Sequence, residues 1–211
     1  MQRVLNFSKK MVTLMSICLL PFTVMAADQT EFNGDINVSS GEKVDNLKTF
    51  NGRVTLSNRA KAKNIASFNG GVTLGASAAA NKIEVKNGQV RLGRAAKVAE
   101  NIDITNGDVK LKSQSRVGGN IDVVNGKITL EQARVEGKLV LINGDIILQQ
   151  GALVGGDIIM GNEKQDQSNN TVIPLLRISA DSSVAGKIIL KQKVKLDIAK
   201  GAQVGEIVNL Y

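Results

Sequence analysis

Residues 87–111 read NGQVRLGRAAKVAENIDITNGDVKL, and they contain one complete repeat of the chain. The repeat begins at Asn87-Gly88, and the next begins 19 residues later at Asn106-Gly107. Between these points lie three pairs of apolar residues, each with one residue between its members: Val90/Leu92, Ala96/Val98 and Ile102/Ile104. Alternation with a period of two indicates short β-strands with one buried face. One repeat therefore predicts three short strands separated by three corners.

The same unit recurs along most of the chain. Asn-Gly occurs at intervals of 18 or 19 residues, beginning at Asn33, Asn51, Asn69, Asn87, Asn106, Asn125 and Asn143. A fixed period of this length is typical of a solenoid. Stacked coils would pair each strand with its equivalents in parallel. The sequence therefore predicts an all-β fold, a single-stranded parallel β-helix of about nine triangular coils of 18–19 residues.

The recurring Asn-Gly has a structural interpretation. A sharp corner often needs a residue with positive φ, which Gly adopts at little cost and Asn tolerates. Identical Asn side chains one coil apart can also form an amide ladder. A ligand-binding row of amides is the alternative. We favour a structural corner ladder, because the same residues serve every coil.

The N-terminus has the pattern of a secretory signal peptide. Three basic residues precede an uncharged, mainly apolar run over residues 11–24. Cleavage is predicted after Ala26, with Ala27 as the second choice, so that residues 1–26 are the leader. An uncleaved anchor is the alternative. Cys18 could also be a lipid acceptor, but the large Ile17 before it disfavours that.

Export places the protein in the periplasm or at the surface of a bacterium, with no transmembrane segment left after cleavage. The solenoid domain is then residues 27–211. The repeat is interrupted at about 161–173, where the polar stretch GNEKQDQSNNT has no periodicity. We interpret it as a loop inserted into the solenoid.

The composition excludes several kinds of active site. The chain has no His, and its single Cys is in the leader, which excludes Cys or His nucleophiles and the usual zinc sites. We therefore expect no enzymatic activity and no cofactor. A polysaccharide-cleaving enzyme would instead need a groove lined by carboxylates and Arg beside the insertion.

Three carboxylates lie three residues before successive Asn-Gly pairs: Glu84, Asp103 and Asp122. They should stack as an outward column and are weak candidates for a calcium site. The alternative is a solvated face, for which three cations are possible partners: Arg91, Lys110 and Lys112.

Three aromatic residues form another predicted column, since Phe32, Phe50 and Phe68 each precede an Asn-Gly pair. Exposed, stacked rings could bind sugar rings. The alternative is a hydrophobic cap that shields the first coils, as solenoids need at their ends.

The chain is basic, with 27 Lys and Arg against 19 Asp and Glu. Removing the leader takes three basic residues and leaves 24 against 19. The charges are mixed along the chain, so we expect no nucleic-acid site. The excess suits an anionic surface or an envelope polysaccharide, and a solvated surface explains it equally well.

Two phrases resemble bactofilins, GALVGGDI at residues 151–158 and ARVEGKL at residues 133–139. Bactofilins are polymer-forming bacterial proteins with a triangular parallel β-helix, so the resemblance implies this fold and assembly between copies. They are typically cytoplasmic or bound to the inner membrane face, and the export signal departs from that pattern. We therefore expect a non-enzymatic structural or scaffold protein of the cell envelope that assembles end to end. The alternative is an adhesin-like or polysaccharide-binding surface module.

Overall fold

The computed structural model describes residues 27–162 and 172–211. The predicted signal peptide lies outside these residues, as do residues 163–171 of the predicted insertion. The described chain is all-β, with 26 strands in three parallel sheets that form a β-solenoid of about nine turns. The predicted fold class is confirmed.

Each sheet collects one strand from successive coils. The ten-stranded sheet contains β1 (Gln29–Asn33), β3 (Leu47–Asn51), β5 (Asn64–Asn69), β8 (Lys82–Asn87), β11 (Ile102–Asn106), β14 (Ile121–Asn125), β17 (Leu139–Asn143), β20 (Ile158–Met160), β23 (Ile188–Leu190) and β26 (Ile207–Asn209). The nine-stranded sheet contains β2 (Ile36–Val38), β4 (Val54–Leu56), β6 (Val72–Leu74), β9 (Val90–Leu92), β12 (Val109–Leu111), β15 (Ile128–Glu131), β18 (Ile146–Gln149), β21 (Leu175–Ile178) and β24 (Lys195–Ile198). The seven-stranded sheet contains β7 (Ala79–Ala80), β10 (Lys97–Val98), β13 (Arg116–Val117), β16 (Arg134–Val135), β19 (Leu153–Val154), β22 (Ser183–Val184) and β25 (Gln203–Val204).

The pairing register follows the sequence period. Ile102 pairs with Ile83 on one side and with Ile121 on the other, each 19 residues away. Across the interruption the step rises to 30 residues, since Ile158 pairs with Ile188. The coils therefore stack in one register on both sides of the insertion.

The core consists of columns of inward side chains along the axis. The columns of the ten- and nine-stranded sheets hold mainly Val, Ile and Leu, and these are buried. One column of the third side is narrower and holds small buried residues: Ala60, Ala78, Ala96, Ser115, Ala133 and Ala152. Small residues on one side allow three strands to close around a dry interior.

The corners explain the recurring glycine in two ways. The predicted positive φ occurs at five of the seven Asn-Gly corners, at Gly70, Gly88, Gly107, Gly126 and Gly144. The structure gives Gly107 a φ of 145°, whereas Gly34 and Gly52 are not among the positive-φ glycines. Close approach is the common requirement, because a Cβ added at Gly107 would lie 1.9 Å from the carbonyl oxygen of Gly88. Positive φ of 50–63° also occurs at another corner, where the residues are mostly not glycine: Arg59, Ser77, Ala95, Gln114, Gln132 and Gln150.

Candidate functional site

The register places one kind of chemistry on each part of the outer surface. The outer face of the ten-stranded sheet is the candidate site, because it carries both the aromatic and the acidic residues singled out from the sequence. This face is aromatic at the first coils, acidic in the middle and aliphatic towards the C-terminus. The chemistry changes along the rod because each successive coil places its own residue at the same outward position.

The three Phe residues form a continuous stack on this face. The ring centroids of Phe32 and Phe50 are 5.1 Å apart, and those of Phe50 and Phe68 are 4.7 Å apart. The rings are nearly parallel, with interplanar angles of 3° and 5°. Their exposed fractions are 68%, 40% and 44%, so the stack meets solvent.

The acidic residues continue along the neighbouring outward column. Glu84 pairs with Asp103, and Asp103 with Asp122, on adjacent strands. Lys82 bonds Glu84, and its Nζ lies 3.5 Å from Asp103 Oδ2. The bond to Glu84 raises the pKa of Lys82. Burial, and then repulsion from Asp103, raise the pKa of Asp122.

These carboxylates are not placed as a metal site. Within residues 27–162 and 172–211, no group of three or more potential ligands could hold a metal ion. The predicted cationic partners also lie elsewhere, because Arg91 and Lys110 are on the nine-stranded sheet and Lys110 pairs with Glu131 at 2.6 Å. The cation that does contact these carboxylates is Lys82, two residues before Glu84 on the same strand, and the sequence reasoning did not name it.

Two shallow depressions lie side by side on this face. One, of about 460 Å³, is lined by the three carboxylates together with aliphatic residues that include Val124, Val140 and Ile142. The other, of about 310 Å³, is lined by residues that include Lys48, Phe50, Phe68 and Lys86. Both are open, so the face offers a strip for a long ligand rather than an enclosed pocket.

The Asn side chains at the corners form a ladder. Each Nδ2 donates to the Oδ1 of the preceding Asn, with distances of 2.7–2.9 Å from Asn33 to Asn143. In the last coils the amide of Gln192 is buried, and its Nε2 donates to the carbonyl oxygen of Ile142 at 2.7 Å. The ladder holds coils together, and its amides are largely used by one another.

A basic column lies on the outer face of the seven-stranded sheet. We define it as Lys43, Lys61, Lys97, Arg116 and Arg134, which are in register on successive coils with Ala79 between the second and third. Sequence reasoning missed it because the charges are far apart in the chain. The sequence does contain a signal for this column. A basic residue often stands between the two members of the second apolar pair, as Lys97 does between Ala96 and Val98.

The last coil leaves its core partly open. Leu196 continues a column that is fully buried at Leu176, yet it is 40% exposed. Ile207 continues the buried column of Ile188 and is 38% exposed. In the described residues, β24, β25 and β26 are each the last strand of a sheet. The end of the rod therefore presents apolar side chains beside open strand edges.

A membrane-spanning helix is not found in the described parts of the chain. Comparisons with protein-family models, curated proteins and solved structures give no match for this chain.

Proposed function

We propose that this protein is a non-enzymatic scaffold of the bacterial cell envelope that assembles end to end. The exposed core of the last coil carries this proposal. Leu196 and Ile207 are inward residues that no described residue covers fully, and a second copy would bury them. Open parallel edges beside them are templates for pairing with another chain.

The first coil carries the columns equivalent to those of the last one, and its inward Ile36, Val38 and Val44 are already buried in the single copy. Continuing the nine-stranded sheet from one copy to the next would set Leu196 and Ile198 over Ile36 and Val38 of that next copy, because these residues occupy equivalent columns. Val204 would meet Val44 in the same way. The strands would stay parallel and in register across the junction, so the contact repeats and leads to a filament.

The net charges of the two ends are complementary. Residues 27–44 contain four acidic residues and one basic residue, a net of −3. Residues 191–211 contain four basic and two acidic residues, a net of +2. Opposite charges favour head-to-tail contact over contact between two like ends.

The export signal and the bactofilin-like repeat support the location and the structural role. The absence of His and Cys from residues 27–211 supports a non-enzymatic role.

Sedimentation velocity and negative-stain microscopy of the purified mature protein test the assembly. We expect oligomers that grow with concentration, and rods longer than one copy. Leu196→Asp should give monomers, because a carboxylate would be placed in the apolar junction and near the acidic first coil. Val124→Asp is the matched control, since it places the same charge on an exposed apolar residue of β14, in the middle of the rod.

Circular dichroism should show that both variants keep the β-solenoid. A wild-type protein that stays monomeric at high concentration would overturn the proposal. So would assembly of the Leu196→Asp variant at the wild-type concentration.

A second candidate function is binding of a polysaccharide at the aromatic stack. The exposure of Phe32, Phe50 and Phe68 favours it, because flat apolar rings in solvent suit the faces of sugar rings. Phe50→Ala should remove binding to neutral glycans on an array. Val124→Ala, an exposed apolar residue on the same face, should leave binding intact. Equal binding by wild type and Phe50→Ala would exclude the stack as the site.

A further inference from the structure

The basic column stacks cations at the spacing of the coils. Lys43, Lys61, Lys97, Arg116 and Arg134 occupy five of the first six outward positions of this face, and all are exposed. Adjacent parallel strands are about 4.8 Å apart, so the column extends about 24 Å along the rod.

The charges of the column are poorly neutralised. Arg134 Nε lies 2.7 Å from Glu136 Oε1, and Arg116 Nε lies 3.8 Å from the same oxygen. Lys43, Lys61 and Lys97 form no ion pair with any residue that the structure describes.

The surroundings of the column are basic overall. The adjoining corner adds three exposed cations, Arg59, Arg94 and Lys112. The nearby acidic residues are Glu42, Asp45, Glu100 and Glu136. Asp45 pairs with Lys63 at 2.9 Å, and Glu42 accepts a hydrogen bond from the Ser39 N–H at 2.8 Å. Cations on the other faces are more often paired, as with Lys110 and Glu131. The surplus positive charge of the chain is therefore concentrated along one face.

Like charges stacked on adjacent strands destabilise the sheet that carries them. A row of cations also focuses the electrostatic potential and attracts polyanions. A long anion lying along the row would relieve the repulsion at several coils together, so binding would stabilise the fold.

We propose that the basic column binds a linear anionic polysaccharide that lies parallel to the solenoid axis. The outward residues of this sheet include no aromatic side chain on which a nucleic-acid base could stack. The column itself has no large apolar side chain to insert into a bilayer, and Leu153 follows only after its end. A single row of cations matches one flexible chain with regularly spaced charges.

This inference does not depend on end-to-end assembly, because each copy carries a complete column. Binding is therefore measured in the wild-type protein and also in the Leu196→Asp background. Loss of assembly with retained binding separates the two proposals.

The test compares two triple variants with the same change in net charge. The column variant is Lys61→Gln with Lys97→Gln and Arg116→Gln, and Gln203 already occupies the same column, so the amide side chain fits there. The control variant is Arg53→Gln with Arg91→Gln and Lys127→Gln, three exposed cations on the side of the nine-stranded sheet and away from the last coil. Isothermal titration calorimetry at low salt measures binding, with heparin as the probe.

We expect the column variant to bind heparin roughly a hundredfold more weakly, since three cations near an anionic surface are lost. The control variant should stay within about threefold of wild type, and added salt should weaken wild-type binding. Heparin should raise the midpoint of thermal unfolding of the wild type and the control, and not that of the column variant. Equal losses in both triple variants would overturn the proposal, as would no binding by wild type.

Two further probes decide the class of ligand. Single-stranded DNA and phosphatidylglycerol vesicles should bind wild type more weakly than heparin at equal salt. If either probe binds wild type more tightly than heparin does, and the column variant loses this binding, the column is a site for nucleic acid or for membranes. That result would overturn the polysaccharide proposal. Both variants should unfold close to the wild-type temperature in the absence of ligand, because each loses solvated or mutually repelling charges and one exposed ion pair, Arg116 with Glu136 or Lys127 with Asp145.

Discussion

Two columns of glycine hold the coils together at different corners of the solenoid. The first column runs from Gly34 to Gly144 between the ten- and nine-stranded sheets. The second includes Gly119, Gly137, Gly156 and Gly186, between the seven- and ten-stranded sheets. A Cβ at Gly107 would lie 1.9 Å from the Gly88 carbonyl oxygen, whereas a Cβ at Gly186 would lie 2.5 Å from the Gly156 carbonyl carbon.

The polar side chains beside the two columns make different bonds. At the first column the Asn side chains bond to one another. At the second, Asn101 and Asn120 accept the backbone N–H groups of Asn120 and Lys138, each at 2.9 Å. The core columns are common to both regions. The core columns therefore determine the shape of each coil. Close contact between backbones of adjacent coils occurs at both corners, with different polar bonds beside it.

The largest effect is expected inside the first column, where neighbouring coils approach closely. Gly107→Ala should destabilise the protein by more than about 4 kcal/mol, because the added methyl meets backbone that cannot move without separating two coils. Gly34→Ala is the matched control at the open end of the same column, where the nearest atom would be 3.7 Å away. It should change stability by less than about 0.5 kcal/mol. Urea unfolding followed by circular dichroism measures both.

Similar midpoints for the two variants would show that the coils can separate at little cost. Neither the close approach nor the φ of 145° would then require glycine at Gly107.

The second prediction compares an interior coil with the last one. Leu111 is fully buried, and Leu111→Ala should cost about 3 kcal/mol. Leu196→Ala should cost about 1 kcal/mol at low protein concentration, because Leu196 is 40% exposed. If copies join end to end, the cost at Leu196 rises with concentration while that at Leu111 does not. Thermal unfolding over a range of concentrations distinguishes these cases, and equal costs at both sites would mean that the last coil is already covered.

Much of the fold follows from the sequence because the repeat is explicit. The three apolar pairs of each unit, such as Val90/Leu92, correspond to the three sheets, and the step between paired residues equals the period. The stacking of Glu84, Asp103 and Asp122 also follows from counting residues before Asn-Gly.

The remaining features depend on contacts that counting does not reveal. Lys82 shares an outward face with Glu84, but which of the neighbouring carboxylates its side chain contacts depends on its rotamer. The clash that requires glycine at Gly107 depends on the distance between two backbones. The basic column needs the register of a two-residue strand such as β10, where one residue of slippage would turn every cation inward.

The third prediction concerns the bonds of the Asn ladder. Asn106 donates to Asn87 at 2.9 Å and accepts from Asn125 at 2.7 Å, so Asn106→Ala removes both bonds and should cost about 1 kcal/mol. Asn33→Ala removes only the bond from Asn51 and should cost about half as much. Urea midpoints measure the difference. A larger loss at Asn33 would mean that the ladder stabilises the first coil more than the middle of the rod.

The smallest effect is expected at Asp122, which lies on β14 between Gly119 of the second glycine column and Gly126 of the first. Beyond it the outward position changes from carboxylate to the aliphatic Val140. Burial and Asp103 raise the pKa of Asp122 in the folded protein, so the ionised carboxylate opposes folding. Between its unfolded pKa, about 3.9, and the higher folded pKa, the folded state binds more protons. Stability contributed by this group therefore falls as the pH rises through that window.

Asp122→Asn removes the charge and keeps the shape of the side chain. The variant should be more stable than wild type at pH 7, by less than about 1 kcal/mol because the site is partly solvated. The advantage should disappear below about pH 3.9, where the wild-type carboxyl is protonated in both states. Thermal unfolding at several pH values measures it, with Asp197→Asn as a control on another face, where Arg177 Nε lies 2.6 Å from Asp197 Oδ2 and the change should not stabilise. A gain that persists in acid would mean that packing of the amide, rather than loss of charge, stabilises this coil.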